Sequence, residues 1–395
     1  MKRSLLLIVV IIFVSTLPRI WQLNKYPPVI VDEAANLRDI NKLLSYSNLH
    51  PFDYEWGYGQ ATLVHYPTIS LITLGLNQFL ALRLTSVILS LLALIPFFFI
   101  VKKYSNTLIA FCITLMFSFS YYYLQFSRVG WTNIHSLVLG LFLIWFIDLA
   151  IKKNSLLITA ISGFIAGLLM YLYRSGEIYI LAALLFLFLE LIKTKSAQRG
   201  IKKMGIFLIF FIATSLPWID KILSNWQLYN LRANVVSIFN VNLPYHNLYK
   251  PAGIISYQIF STLKSWILLL PSNGGNIEDP RYLPLNHSIV SPPIALLFLA
   301  GLIISIVNFK KTYIWIFIFL TGLLFSQILT VDPPNGSRGL ILLPIIYLFS
   351  ALSLNLIYNK FKDTKFITPA LIAFSVIISC VDFLFYQNWM TWIKV

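Results

Sequence analysis

Asp32 and Glu33 are adjacent carboxylates in the stretch Tyr26 to Ala35, just after the first apolar run of a chain that is only 11% charged. Two acids side by side in so acid-poor a chain have two kinds of use. At a helix start, Asp32 can be an N-cap while Glu33 faces the positive end of the helix dipole. At a polar site the same groups can take a proton from an incoming hydroxyl or bind a cation. The two uses are compatible, because a capping carboxylate keeps free lone pairs.

Three isolated cations stand at the outer ends of apolar runs: Arg128 closing Tyr121 to Arg128, Arg174 between Tyr171 and Gly176, and Arg338 after Asp332 to Ser337. Each alone fits a side chain snorkelling to the interface. Three on one side are better explained by a shared anion, since the planar guanidinium fork suits phosphate oxygens. His65, in His65-Tyr66-Pro67, is open to three readings: a hydrogen-bonded structural residue, a phosphate contact, or a ligand of a divalent metal ion shared with Glu33. His246 and His287 could complete such a metal site, although their spacing matches no metal motif. Asp53 and Glu55 rival Asp32 for acid-base work, with loop solvation as their ordinary account. Glu278 and Asp279, followed by Pro280, read first as a turn. Asp148 and Glu190 lie near helix ends where they reach water, and Trp226, Tyr229, Tyr245 and Tyr249 suit either an interfacial belt or stacking on sugars.

The elements that position these groups are membrane helices. The chain has 395 residues, 58% hydrophobic and 16% aromatic, and its charged content is far below the roughly 25% of soluble domains. Apolar runs long enough to cross a hydrocarbon core of roughly 30 Å recur throughout. The reading is an all-α polytopic membrane protein of about eleven transmembrane helices, forming one integral membrane domain over 1–395. The spans fall near 4–22, 84–101, 106–124, 134–151, 155–172, 176–192, 204–220, 291–308, 313–330, 339–357 and 367–385. Cys112 and Cys380 both sit in apolar runs, which excludes a disulfide framework and a Cys-rich metal site.

A net charge of +16 does not point to nucleic acid, because the cations form no aromatic-interleaved patch. They cluster instead between spans, at Lys2-Arg3, Lys102-Lys103, Lys152-Lys153, Lys193 to Lys203, Lys310-Lys311 and Lys360 to Lys365. By the positive-inside rule the N-terminus is cytoplasmic, the C-terminus outside, and the large loops 23–83 and 221–290 both extracytoplasmic. The first run lacks a small-x-small site before Pro18 to Trp21 and reads as an uncleaved helix. Within the first loop, Leu37, Ile40, Leu43 and Leu44 have the spacing of an amphipathic interfacial helix beginning at the acidic pair. A second such helix runs from Pro67 through Ile69, Ile72, Leu76 and Phe79.

The order of these features resembles the GT-C glycosyltransferases of the protein-mannosyltransferase and aminoarabinose-transferase type. The likeness rests on the approach to Asp32-Glu33-Ala34, the loop with His65-Tyr66-Pro67, and Ala81 to Ser86 leading into the span that ends Lys102-Lys103-Tyr104. Phe126-Ser127-Arg128 looks like the superfamily's Ser-Arg element, and Ser337-Arg338 followed by Leu342-Leu343-Pro344 is similar to its late Arg-Leu-Pro pattern. It departs in offering His65 where some relatives have lysine, and in stopping soon after Tyr386 to Trp392, without the soluble C-terminal domain of many relatives.

The resemblance implies a plasma-membrane transferase that moves a sugar from a polyprenyl-phosphate donor to a protein, lipid or glycan acceptor on the extracytoplasmic face. Carried onto matching positions, Asp32 is the general base and Glu33 a metal or orienting ligand. Arg128 and Arg338 hold the lipid phosphate, with Arg174 as a helper and His65 as a further contact. Two other readings remain. A lipid-linked glycan polymerase or ligase would depend on the second loop, so that alanine at Glu278, Asp279 and Arg281 separates it from the first. A transporter or flippase of an anionic lipid would need charges at mid-bilayer depth and broken helices in repeated halves, and neither is clear in the sequence.

Overall fold

The structure, a computed structural model, describes residues 2–45, 50–56, 59–193, 197–239, 251–271, 281–284, 286–331 and 333–391. Secondary structure among them is helical, apart from two isolated β-bridges, Tyr54 with Ala61 and Ser237 with Thr330. Within a bilayer nothing else satisfies the backbone of an isolated span.

The chain enters through α1 (Lys2–Ile20) and passes through two short helices, α2 (Val31–Ser45) and α3 (Tyr66–Thr73). It then returns in α4 (Gln78–Tyr104), the bent pair α5 (Thr107–Phe119) and α6 (Tyr121–Arg128), and α7 (Asn133–Lys152). The antiparallel run continues with α8 (Leu156–Leu169), α9 (Glu177–Lys193) and α10 (Ala197–Ser224). Helices α11 (Trp226–Val236) and α12 (Pro251–Thr262) belong to the second large loop. The closing group is α13 (Pro292–Val307), α14 (Phe309–Leu323), the single turn α15 (Gly336–Gly339), α16 (Leu343–Phe361) and α17 (Ile367–Met390). The tightest packing joins α8 to α10, α13 to α16, α7 to α8, α4 to α7 and α5 to α17.

Among the described residues, eight helices are long and apolar enough to cross a membrane, nine if α5 and α6 are one span, with α8 and α13 as shorter apolar helices. Each of the eleven expected spans therefore lands on a helix, and the chain is a multi-pass membrane protein. The α5–α6 pair is bent by 60° at Ser120, whose ψ of 127° leaves the helical region. That broken helix is not evident in the sequence, where 106–124 reads as one uninterrupted apolar run. Nor is the burial of Asp382, a carboxylate 1% exposed inside the α17 span.

Both short helices of the first loop form, with two corrections. The buried face of α2 is Glu33, Ala35, Asn36, Asp39 and Ile40, whereas Leu44 is exposed. Polar residues turn inward because they face backbone and indole groups that need partners. The second helix stops at Thr73, since Gly75 adopts φ 94°, a left-handed conformation that ends helices. Phe79 then belongs to α4, which Asn77 caps by accepting the N–H groups of Phe79 and Leu80.

Candidate active site

The α6–α7 turn, Val129 to Asn133, is the hub on which the loops converge. The Gly130 N–H donates to Glu33 Oε1 at 2.8 Å, and its carbonyl accepts from Asn36 Nδ2 at 2.9 Å. A Cβ at Gly130 would press into Leu82 and stand 3.3 Å from Glu33 Oε1, so this approach needs glycine. Next along, Thr132 accepts from Gln60 Nε2 at 2.7 Å, and Asn133 donates to the Ser337 carbonyl. One turn of backbone thus fastens the Asp32 helix, the loop before His65 and the segment carrying Arg338.

The two carboxylates have different fates. Glu33 is fully buried and clamped by Arg83, whose Nε and Nη2 donate to its two oxygens at 2.7 and 2.8 Å. Its Oε2 also accepts the Ile30 N–H at 3.2 Å, so Glu33 serves the start of α2, a role expected of Asp32. Arg83 reaches on to the Leu23 carbonyl at 2.8 Å and lies 4.3 Å from the Phe79 ring. Its signal in the sequence was a lone cation inside an apolar helix, which needs a partner to be buried.

Asp32, about 100° further round the helix, keeps partial exposure at 14% of its side chain. It accepts the Tyr282 hydroxyl, and Arg281 Nη1 lies 3.8 Å from it. Tyr282 in turn stacks on Phe126 with centroids 5.9 Å apart and abuts Gly336, where a Cβ would meet its carbonyl oxygen at 2.9 Å. The second large loop therefore closes on the first at Asp32. Alanine at Arg281 cannot separate a first-loop enzyme from a second-loop one, as the sequence suggested; Glu278 and Asp279 lie outside the described residues.

Arg174 and Arg338 come together, joined by Arg232, in the lining of one cavity of about 410 Å³. Its other walls are largely apolar, with Ile178, Leu181, Phe325 and Leu329, and also include Gly59 of the first loop and one carboxylate, Glu177. Arg174 lies 3.8 Å from the Tyr229 ring and donates to the Tyr229 carbonyl, while its Nε is buried with no partner. Arg338 Nη1 donates to the Val331 carbonyl at 2.8 Å. Its backbone N–H donates to Asn335 Oδ1 at 3.0 Å, and Asn335 is held by Gln327 through bonds of 2.8 and 3.1 Å. Arg232 lies mid-helix in α11 and carried no mark in the sequence that set it apart.

Arg128 is not in that cavity. It is 1% exposed and donates to the carbonyls of Pro18, Trp21 and Tyr26, the latter two at 2.7 and 2.9 Å. It ties the end of α1 to the end of α6, which leaves less of its fork for a phosphate than the sequence reading required.

His65 and Glu33 do not form the expected metal pair. His65 is 1% exposed with both ring nitrogens unpartnered. Burial, and then His135, pull its pKa down to about 3, so the imidazole is neutral and its 4.0 Å approach to Asp39 is no ion pair. Burial pushes the Asp39 carboxyl up, against the Trp56 N–H and Lys42. His287 packs edge-on to Phe385 at 4.8 Å, and His246 lies outside the described residues. Among the described residues no group of three or more His, Cys, Asp or Glu side chains is placed to hold a metal ion. With both Glu33 oxygens engaged, the residues named for a divalent ion do not fit one.

The remaining candidates are structural. Asp53 binds Lys221 at 2.7 Å and accepts the His50 N–H at 2.9 Å; burial raises its pKa, but these two partners outweigh it and the net shift is downward. Glu55 is 4% exposed and accepts the Gly59 N–H at 3.0 Å, so neither acid is merely solvated. Asp148 pairs with Lys103 and Lys152, and Glu190 approaches Lys203 at 3.9 Å. Trp226 is exposed; Tyr245 and Tyr249 lie outside the described residues.

Comparison with known proteins agrees with this architecture. The dolichyl-phosphate-mannose-protein mannosyltransferase family matches residues 63–218. No curated protein matches the sequence. An Archaeoglobus fulgidus oligosaccharyltransferase, in complex with Zn and sulfate, is similar in structure with a TM-score of 0.55 and 12% identity, over 98% of this chain and 53% of that one. ArnT from Cupriavidus metallidurans in the apo state gives 0.57 and 11%, over 89% and 59%. The same ArnT bound to undecaprenyl phosphate gives 0.60 and 11%, over 98% and 70%. The chain thus spans between 53% and 70% of the length of these structures. By its fold, with the acidic first loop folded back on a bent helix pair, the chain is similar to these membrane proteins, and the family match covers its residues 63–218.

Proposed function

We propose that the chain is an inverting glycosyltransferase that moves a sugar from a polyprenyl-phosphate donor to an acceptor hydroxyl at the extracytoplasmic membrane face. The observation that carries this is the meeting of Arg174, Arg232 and Arg338 with largely apolar walls in one cavity. Guanidinium groups beside apolar walls match a phosphate joined to an isoprenoid tail. The ArnT neighbour binding undecaprenyl phosphate supports the same reading.

In this reading the lipid phosphate sits among the three arginines. As the bond from the anomeric carbon to the phosphate oxygen breaks, negative charge grows on the departing phosphate, where the fixed guanidinium groups stabilise it. Asp32 takes the proton of the acceptor hydroxyl as it attacks from the opposite face. The Tyr282 hydroxyl already donates to an Asp32 oxygen, which supports that oxygen as one able to receive a proton from an O–H group. Glu33 and Arg83 hold the helix that presents Asp32, and do no chemistry.

Binding of undecaprenyl phosphate to the purified protein tests the assignment directly. The double variant Arg174→Gln, Arg338→Gln should lose most of it while keeping its thermal midpoint; undiminished binding would refute the phosphate site. Mass spectrometry of surface glycans and glycoproteins, with and without the chain, then identifies sugar and acceptor.

A further inference from the structure

A second polar cavity, of about 600 Å³, lies at the other end of the bundle. Helices α7, α9 and α16 begin beside the candidate active site, and the cavity gathers the far ends of α9 and α16, with Lys103 at the end of α4. A helix of 19 residues puts the two sites roughly 30 Å apart, toward opposite ends of the bundle. Lys103, Lys310 and Lys311 line it with Asn355 and Asn359, while Ile304, Leu352 and Leu356 make its apolar side. Glu190 is its one carboxylate, and it leans toward Lys203.

Lysines between spans are ordinary on a cytoplasmic face, but the placing of this pair is not. Lys310 and Lys311 stand in the first turn of α14, which holds no acidic residue, and the Asn308 side chain makes no cap there. It donates instead to the Ile304 carbonyl at 2.9 Å. Two cations at the positive end of a helix dipole repel it unless an anion intervenes. Among the described residues no carboxylate pairs with either lysine, whereas Lys103 has Asp148 at 2.6 Å.

We propose that this cavity binds the phosphate headgroup of an anionic phospholipid of the leaflet opposite the active site, with the lysines and asparagines on the phosphate and Ile304, Leu352 and Leu356 against the acyl chains. Basic pockets between helices at a membrane surface select such headgroups. The proposal stands independently of the transferase reading, because its test measures bound lipid and not sugar transfer.

The test is native mass spectrometry of the full chain in detergent, with dioleoylphosphatidylglycerol or dioleoylphosphatidylcholine added. The wild type should retain the anionic lipid and not the zwitterionic one. Lys310→Ala with Lys311→Ala should lower that retention about ten- to thirtyfold. Lys362→Ala with Lys365→Ala, which removes the same charge outside the cavity, should leave it unchanged. Equal retention of both lipids, or equal loss in both double variants, would overturn the site. Complete displacement by millimolar inorganic phosphate would overturn the lipid assignment, since free phosphate would then be the occupant.

Discussion

The sharpest prediction separates the two neighbouring carboxylates. Glu33→Gln removes the charge opposite a buried Arg83 that also serves the Leu23 and Pro28 carbonyls. An uncompensated buried cation costs about 3–5 kcal/mol; the new amide oxygen can still accept one of the N–H groups from Gly130 and Ile30. Asp32→Asn, at a side chain 14% exposed, should cost under about 1 kcal/mol. The double variant Glu33→Leu, Arg83→Met removes both charges but leaves the Leu23 and Pro28 carbonyls and the Gly130 and Ile30 N–H groups without partners. At about 1–3 kcal/mol for each orphaned buried group, it should be no more stable than Glu33→Gln. The readouts are the thermal midpoint of monodisperse protein in detergent and hydrogen exchange across residues 23–40. Glu33→Gln with a wild-type midpoint and wild-type exchange, yet no transfer, would refute the division into a structural and a reacting carboxylate.

Asp32→Asn should lower turnover at least a hundredfold with unchanged donor binding, measured with lipid-linked sugar in nanodiscs; full activity would end its role as base. Arg128→Gln should behave as a stability variant, costing about 2–4 kcal/mol through three abandoned carbonyls, whereas Arg174→Gln should raise KM for donor with little effect on the midpoint. Stability should fall with acidification: with His65 held down to about 3 in the fold and near 6.5 when unfolded, the unfolded chain binds the extra proton between those values. The loss is about 1.4 kcal/mol per pH unit below 6.5, and His65→Gln should flatten that slope in urea titrations at pH 5 and 7.

The division of labour on α2 shows why local sequence stopped short. Asp-Glu at a helix start announces a cap and a charge, and both are there, but which acid turns inward depends on what lies across the gap. The Gly130 backbone and Arg83 are 97 and 50 residues away. The arginines make the same point: Arg128, Arg174 and Arg338 carry one signal, a cation at the end of an apolar run. Packing set Arg128 against three carbonyls and left the other two around a cavity with Arg232, which had no signal. The expected Glu33–His65 metal pair failed because Arg83 and Gly130, remote in sequence, claim both Glu33 oxygens, while His65 is buried as a neutral imidazole with no partner.

The helices themselves were decided by the sequence alone. An apolar run of spanning length has to satisfy its own backbone in hydrocarbon, which only a helix can do from within one segment. Short-range stereochemistry likewise placed the start of α2 beside the acidic pair and brought Pro67 into the first turn of α3. Tertiary structure alone decided the break at Ser120, the burial of Asp382, and the meeting of the two large loops at Asp32. Those depend on complementary groups brought together across many residues, where desolvation penalises every charge left unmatched and so selects one pairing from many that the sequence permits.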